Sequence, residues 1–290
     1  MPNHFADQLN TRILKTSPIM LGIDPNFDLM PTEMRPEIGN RLDLKDKLWY
    51  FCKTLMDQTH DLVCGIKPQS GYFEQYGTAG IEVLAQVLEY ARNLDLPILM
   101  DAKRGDIGAT SESYSKAYLS PNQYGSDLQS DALTVNPFLG LDTMESFVKS
   151  TLEGKGIFVL VKTSNPGATF IQDSLINSQT VSHSLARFVH GEGLKSVGEL
   201  GYSNIGAVVG ATQKKDALEL RKIMPKTIFL APGVGAQGGD INAIKDLMDS
   251  RGLGVVVPIS RGINYPKFEA SKNWETQVRV ECERFVSSLN

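Results

Sequence analysis

Pro97-Ile98-Leu99-Met100-Asp101-Ala102-Lys103 opens as an apolar run and ends in charge. Its first part is uninterrupted by polar residues, the pattern of a strand buried on both faces of a parallel sheet; a one-sided antiparallel strand would alternate. Seven more runs of the same kind cover 19–24, 63–67, 132–136, 157–163, 205–212, 228–234 and 255–261. Between them lie stretches of helical periodicity, as at 42–55, 81–94 and 242–248. Eight βα units without a break in composition predict an α/β chain folded as one (β/α)8 TIM barrel, a single domain spanning 1–290. An open doubly wound sheet is the structural alternative.

Composition narrows the classes of function. The chain has 290 residues, 41% of them hydrophobic and 21% charged, which is enough to bury a sizeable core and unlike a disordered or fibrous protein. Lys and Arg number 29 against 33 Asp and Glu, a net charge of -4 with no basic run, so no nucleic-acid partner is expected. Any anionic ligand must be held by locally placed cations. Cys52, Cys64 and Cys282 are widely spaced and odd in number, offering neither a disulfide framework nor a metal or redox motif, which fits a reducing cytoplasm. No window approaches the roughly 18 apolar residues of a membrane helix, so no membrane partner is expected.

The runs share a second regularity. Each is apolar until it ends in something polar: Asp24, Lys67, Asp101 with Lys103, Asn136, Thr163 with Ser164, Thr212, Gln237 just beyond the seventh, and Arg261. One polar strand end is most often a turn or cap residue, but several charged ends converging on a barrel's carboxyl rim mark the place where barrel active sites are built. After the seventh run comes Ala231-Pro232-Gly233-Val234-Gly235-Ala236-Gln237-Gly238-Gly239-Asp240, and after the eighth Ile259-Ser260-Arg261-Gly262-Ile263. Glycines let backbone N–H groups converge on an anion, and an Arg fork matches phosphate oxygens, so a phosphate site between these two loops is expected. The Gly-x-Gly-x-x-Gly spacing at 233–238 also resembles a dinucleotide fingerprint, but that motif belongs in the first βα unit of an open sheet, and this one follows the seventh run.

Asp101, Lys103 and Asp106, with Lys67 at the end of the neighbouring strand, make an acid and base cluster. Residues two apart on a strand share a face, which brings 101 and 103 together. The bland reading is an ion-pair network bracing the rim; desolvating four charges for stability alone compares poorly with apolar packing. A lysine among carboxylates keeps its proton and acts as an acid. An enzyme that must stabilise a carbanion without an electron sink needs a fixed cation beside the developing charge and a proton to deliver, and Lys103 can supply both. Asp101 is the carboxylate placed to destabilise a substrate carboxylate.

Across nearly the whole chain the sequence resembles the orotidine 5'-phosphate decarboxylases, specifically their longer bacterial subgroup, type 2. Asp101-x-Lys103-x-x-Asp106-Ile107-x-x-Thr110 resembles the family's catalytic signature, 231–240 its phosphate loop, and Thr163-Ser164-Asn165-Pro166-Gly167 its pyrimidine-contacting turn. The resemblance implies decarboxylation of orotidine 5'-monophosphate to uridine 5'-monophosphate and CO2 in de novo pyrimidine biosynthesis, with no metal and no cofactor. It implies that Lys103 protonates C6, that Asp101 lies near the departing carboxylate, and that Asp24 and Lys67 hold the ribose hydroxyls. It further implies Ser164 on the base, phosphate contacts from Gln237 and Arg261 with Pro232 and Val234 in the same loop, and a homodimer in which Asp106, Ile107 and Thr110 reach into the partner's site. Ser260 stands where many relatives carry Gly, and Pro68-Gln69-Ser70-Gly71-Tyr72-Phe73-Glu74 is an insert absent from the shorter enzymes. No family role falls on Arg104 or Lys162, which are expected to be solvated or supporting charges. Two rivals remain. One is a Mg2+-dependent sugar-phosphate decarboxylase or aldolase of the same suprafamily, which needs an acidic ligand where this chain has Lys67. The other is a non-catalytic phosphate-binding barrel, which has no need of Lys103 among carboxylates.

Overall fold

A computed structural model describes residues 4–30, 32–120, 125–210, 214–233, 241–266 and 273–289. Eight strands form one sheet: β1 (Ile19–Ile23), β2 (Gly65–Pro68), β3 (Leu99–Arg104), β4 (Ala132–Val135), β5 (Gly156–Lys162), β6 (Ser203–Val209), β7 (Thr227–Leu230) and β8 (Val255–Ile259). They are parallel and ordered β2-β1-β8-β7-β6-β5-β4-β3. Two bridges, Ile66 to Ile98 and Gln69 to Asp101, join the end strands β2 and β3, and the Ile66 amide donates to the Pro97 carbonyl at 2.9 Å. The ring is the expected TIM barrel. Helices include Arg41–Thr59 and Gly77–Asn93 where periodicity predicted 42–55 and 81–94, and the short Ile241–Lys245 inside the predicted 242–248.

The core has two layers, as the doubly buried strands require. Leu21, Ile66, Met100, Leu133 and Val159 pack among residues of the surrounding helices, such as Phe51, Leu55, Val87 and Val189. Met20, Leu99, Phe158, Ile228 and Val256 instead fill the ring's interior together with Phe5, Ala6, Leu9 and Ile13 of the helix Phe5–Lys15. That helix stoppers the barrel. Its Phe5 ring meets Phe158 edge-on at 6.1 Å, and Gly156 makes the approach possible, since a Cβ there would stand 2.3 Å from the Phe5 ring. With the amino end of the barrel closed by apolar packing, the opposite rim is left to carry polar groups.

Two excursions at that rim shape the site. After β2 the insert folds into the helix Ser70–Glu74. After β5 come the short helix Thr169–Gln172 and the hairpin strands Leu175–Ile176 and Gln179–Thr180, turned by Asn177 and Ser178, both with positive φ. Positive φ at both central residues is what a two-residue turn matching the strand twist requires.

Candidate active site

β3 pairs with β4 at Leu99 and Met100, then the register shifts before Arg104. Within that bulge Lys103 adopts φ +48, the left-handed region, which costs a non-glycine residue on the order of 1 kcal/mol or more. The expectation that 101 and 103 share a face agrees with the packing: Ile98, Met100 and Ala102 lie in the outer layer, while Leu99 joins the interior layer and Asp101 and Lys103 line the cavity.

Asp101 is the hub. Its Oδ1 accepts from Lys103 Nζ at 2.6 Å and from Thr134 Oγ1 at 2.9 Å, while Oδ2 accepts from Lys67 Nζ at 2.8 Å. Burial alone would raise its pKa, but the two ammonium groups and their hydrogen bonds hold the carboxyl well below the usual range. Lys67 is buried too, and burial works against its charge; the carboxylates of Asp101 and Asp24 outweigh that and hold its proton more tightly than usual. Both partners are therefore ionised around neutral pH.

The cluster faces a cavity of about 960 Å³ at the carboxyl ends of the strands. Asp24 enters from the end of β1, and its buried Oδ1 has no hydrogen-bond partner among the described residues. Tyr265 fixes the Asp24 backbone, its hydroxyl donating to the Asp24 carbonyl at 2.7 Å and accepting from the Asn26 amide at 2.6 Å. Ser164 lines the wall after β5, and Pro232, Gly233, Ser260 and Arg261 line the far side after β7 and β8. Gly233 has φ +113, the freedom expected of that turn. The Arg261 guanidinium makes no ion pair or hydrogen bond to a described residue. Gly22 lies under Ser260, where a Cβ would stand 1.9 Å from the serine Oγ; the serine is accommodated because its neighbour has no side chain.

Seven of the expected site residues thus surround one cavity: Asp24, Lys67, Asp101, Lys103, Ser164, Pro232 and Arg261. Asp106, Ile107 and Thr110 do not line it. They stand at the start of the helix Gly108–Tyr118, where Ile107 is 63% exposed. Val234 and Gln237 lie outside the described residues, as does Thr212. Of the two expectations for Lys162, solvated or supporting, the structure fits the second: it is 2% exposed and paired with Asp173 of the post-β5 excursion and Asp216 of the helix Lys214–Ile223. Arg104 fits a supporting role, half-buried with Glu74 at 2.8 Å and its guanidinium over the rings of Tyr114 and Tyr118. Sequence reasoning missed Gln69 and Tyr72, which the insert brings to the cavity wall, and Thr134. The only signal for Thr134 was a hydroxyl inside an apolar run.

Fold and rim together define a (β/α)8 barrel whose carboxylate–lysine cluster faces an arginine and a glycine turn across one cavity. The family model described as "Orotidine 5'-phosphate decarboxylase / HUMPS family" matches residues 41–265. An orotidine 5'-phosphate decarboxylase of Rhodopirellula baltica is 40% identical over 288 residues, covering 95% of each chain. One of Caldicellulosiruptor bescii is 37% identical, covering 99% of this chain and 98% of that one. The solved structure of Leishmania donovani OMP decarboxylase superposes with a TM-score of 0.78 at 25% identity, covering 99% of this chain and 97% of that one. The chain belongs to the orotidine 5'-phosphate decarboxylase / HUMPS family. Among the described residues no helix is long and apolar enough to cross a membrane.

Proposed function

We propose that this chain decarboxylates orotidine 5'-monophosphate to uridine 5'-monophosphate and CO2 in pyrimidine biosynthesis. The observation that carries the reading is Asp101 held between Lys67 and Lys103 opposite Arg261 in one cavity. Near full-length relatives bearing that activity's name support it. With the phosphate at Arg261 and the Pro232–Gly233 turn and the ribose hydroxyls at Asp24 and Lys67, the pyrimidine carboxylate lies toward Asp101. The C6–carboxylate bond breaks, its electron pair stays on C6, and CO2 departs. Lys103 Nζ stabilises the developing charge and delivers the proton that makes the C6–H bond. The Asp101 carboxylate opposes the substrate's own carboxylate and relaxes as that charge leaves.

The chain acts as a single unit over 1–290, in the cytoplasm, and as a homodimer in which Asp106, Ile107 and Thr110 complete the partner's cavity. What supports the dimer is that these residues do not line their own cavity and that large apolar side chains stand exposed around them: Ile107, Leu139 and Leu141 are 63%, 52% and 43% exposed. The segments carrying them run side by side, Ser111 Oγ donating to the Thr143 carbonyl at 2.9 Å. The magnesium-dependent reading is disfavoured by Lys67, a cation where a metal ligand is needed.

The test is an absorbance assay of orotidine 5'-monophosphate turnover in EDTA. Turnover is expected to persist, and Lys103→Ala is expected to bind uridine 5'-monophosphate while losing roughly a hundredfold or more in kcat. Turnover only with added Mg2+ overturns the metal-free reading, and nucleotide binding without turnover supports the binding barrel.

A further inference from the structure

We infer that Thr134 is a positioning residue whose hydroxyl sets the geometry of the Asp101–Lys103 pair; the inference rests on the proposed decarboxylation and deepens it. Thr134 sits in β4 with 0% of its surface exposed and does not line the cavity, so it touches no substrate. Its neighbours in the strand, Leu133 and Val135, are apolar and fully buried. A valine would fill the same space there without the cost of burying a hydroxyl, about 1–3 kcal/mol when unbonded.

The hydroxyl's bonds explain its presence. Lys103 N donates to Thr134 Oγ1 at 2.9 Å, and Thr134 Oγ1 donates to Asp101 Oδ1 at 2.9 Å. A hydroxyl has one proton to give; with it committed to the carboxylate, the oxygen lone pairs are free for the Lys103 amide. The chain Lys103 N–H to Thr134 O–H to Asp101 therefore has one direction, with the Asp101 carboxyl oxygen as its terminal acceptor. It acts at the bulge, where the Lys103 amide has no strand partner and its φ is +48. The same Asp101 Oδ1 takes Lys103 Nζ at 2.6 Å, so one residue is held at both its backbone and its side-chain end through a single carboxylate oxygen. Without the hydroxyl, the amide loses its partner and the left-handed conformation loses what offsets its strain. Nζ then moves relative to the position C6 occupies, and displacements on the order of 1 Å at a reacting group cost about a hundredfold in rate.

Three variants test this with orotidine 5'-monophosphate as substrate and uridine 5'-monophosphate as the binding probe. Thr134→Val, isosteric without the hydroxyl, is expected to lower kcat by about tenfold to a hundredfold, with KM and product affinity within about threefold of the parent. Thr134→Ser is expected to keep kcat within about threefold. A Thr134→Val kcat within about twofold of the parent overturns the inference, as does an equal loss in the serine variant, which would make the methyl group responsible. If Thr134→Val and Thr134→Ala both fail to fold while Thr134→Ser is active, the role is structural and the inference falls. A crystal structure of Thr134→Val decides independently of turnover: Lys103 leaving the left-handed region is expected, and an unchanged Lys103 backbone and Nζ position overturns it. An inactive parent would sink the proposed reaction, while that structure still judges the hydroxyl's role.

Discussion

Asp101 carries three hydrogen bonds on two oxygens, and its ionisation is tied to the fold as well as to the chemistry. Its folded pKa lies below the ordinary value of 3.8. The stabilisation it gives is fully present above that ordinary value and is lost as pH falls through the lower, folded one. Asp101→Asn is therefore expected to lower the urea midpoint at pH 7, where it leaves Lys67 buried without its carboxylate, and the gap to the parent is expected to narrow below about pH 4. A gap that stays constant from pH 7 to pH 3 would show that the carboxyl is not the titrating group. Charges of this kind were legible in the sequence because a charge ending an apolar run is expensive to place unless something uses it; that singled out Asp24, Lys67, Asp101, Lys103 and Arg261. The left-handed backbone of Lys103 was not legible, since lysine has no preference for it and a glycine signal is absent. Thr134 was hidden for a related reason: threonine is an ordinary strand residue, and its bonds depend on a bulge in a different strand 31 positions away.

Helix Phe5–Lys15 is the part of the fold that sequence reasoning passed over. The polar residues of the first fifteen obscured Phe5, Ala6, Leu9 and Ile13, whose spacing of three to four residues is that of one buried helical stripe. Eight strand runs account for a ring but not for what closes its amino end, so the stopper had no slot to fill. Phe5→Ala is expected to destabilise the protein by about 3–5 kcal/mol, because the ring is 2% exposed and Gly156 has no side chain to collapse into the space. Denaturant unfolding measures it, and a loss under about 1 kcal/mol would mean the helix packs without contributing to the core. Strand ends were legible only to within two to four residues: the run read as 63–67 is the strand Gly65–Pro68, that read as 205–212 starts at Ser203 and ends at Val209, and that read as 228–234 ends at Leu230. Apolar content marks where a strand is buried, whereas its limits follow ladder pairing with neighbours.

Barrel closure was readable because doubly buried parallel strands leave the same signature eight times, while assembly between chains leaves none in residue spacing. The apolar patch of Ile107, Leu139 and Leu141 became visible only when β3 and β4 delivered their following segments side by side. Leu139→Glu, which alters no residue of the cluster, is expected to convert the proposed homodimer to monomer in sedimentation velocity and to abolish turnover with it. A monomeric variant with parental kcat would remove Asp106 and Thr110 from the partner's site. One feature of the ring bears on motion within each chain. Seven strand junctions are ladders, three of them with a register shift, but β2 and β3 meet through two separate bridges, and the Lys67–Asp101 ion pair spans that same junction. The charged cluster thus doubles as a clasp on the one junction of the ring joined by isolated bridges. A nucleotide that engages Lys67 and Lys103 tightens or loosens the clasp, so the amides of 65–68 should report occupancy through their rate of hydrogen exchange with solvent, a signal that arises in the scaffold and needs no moving loop.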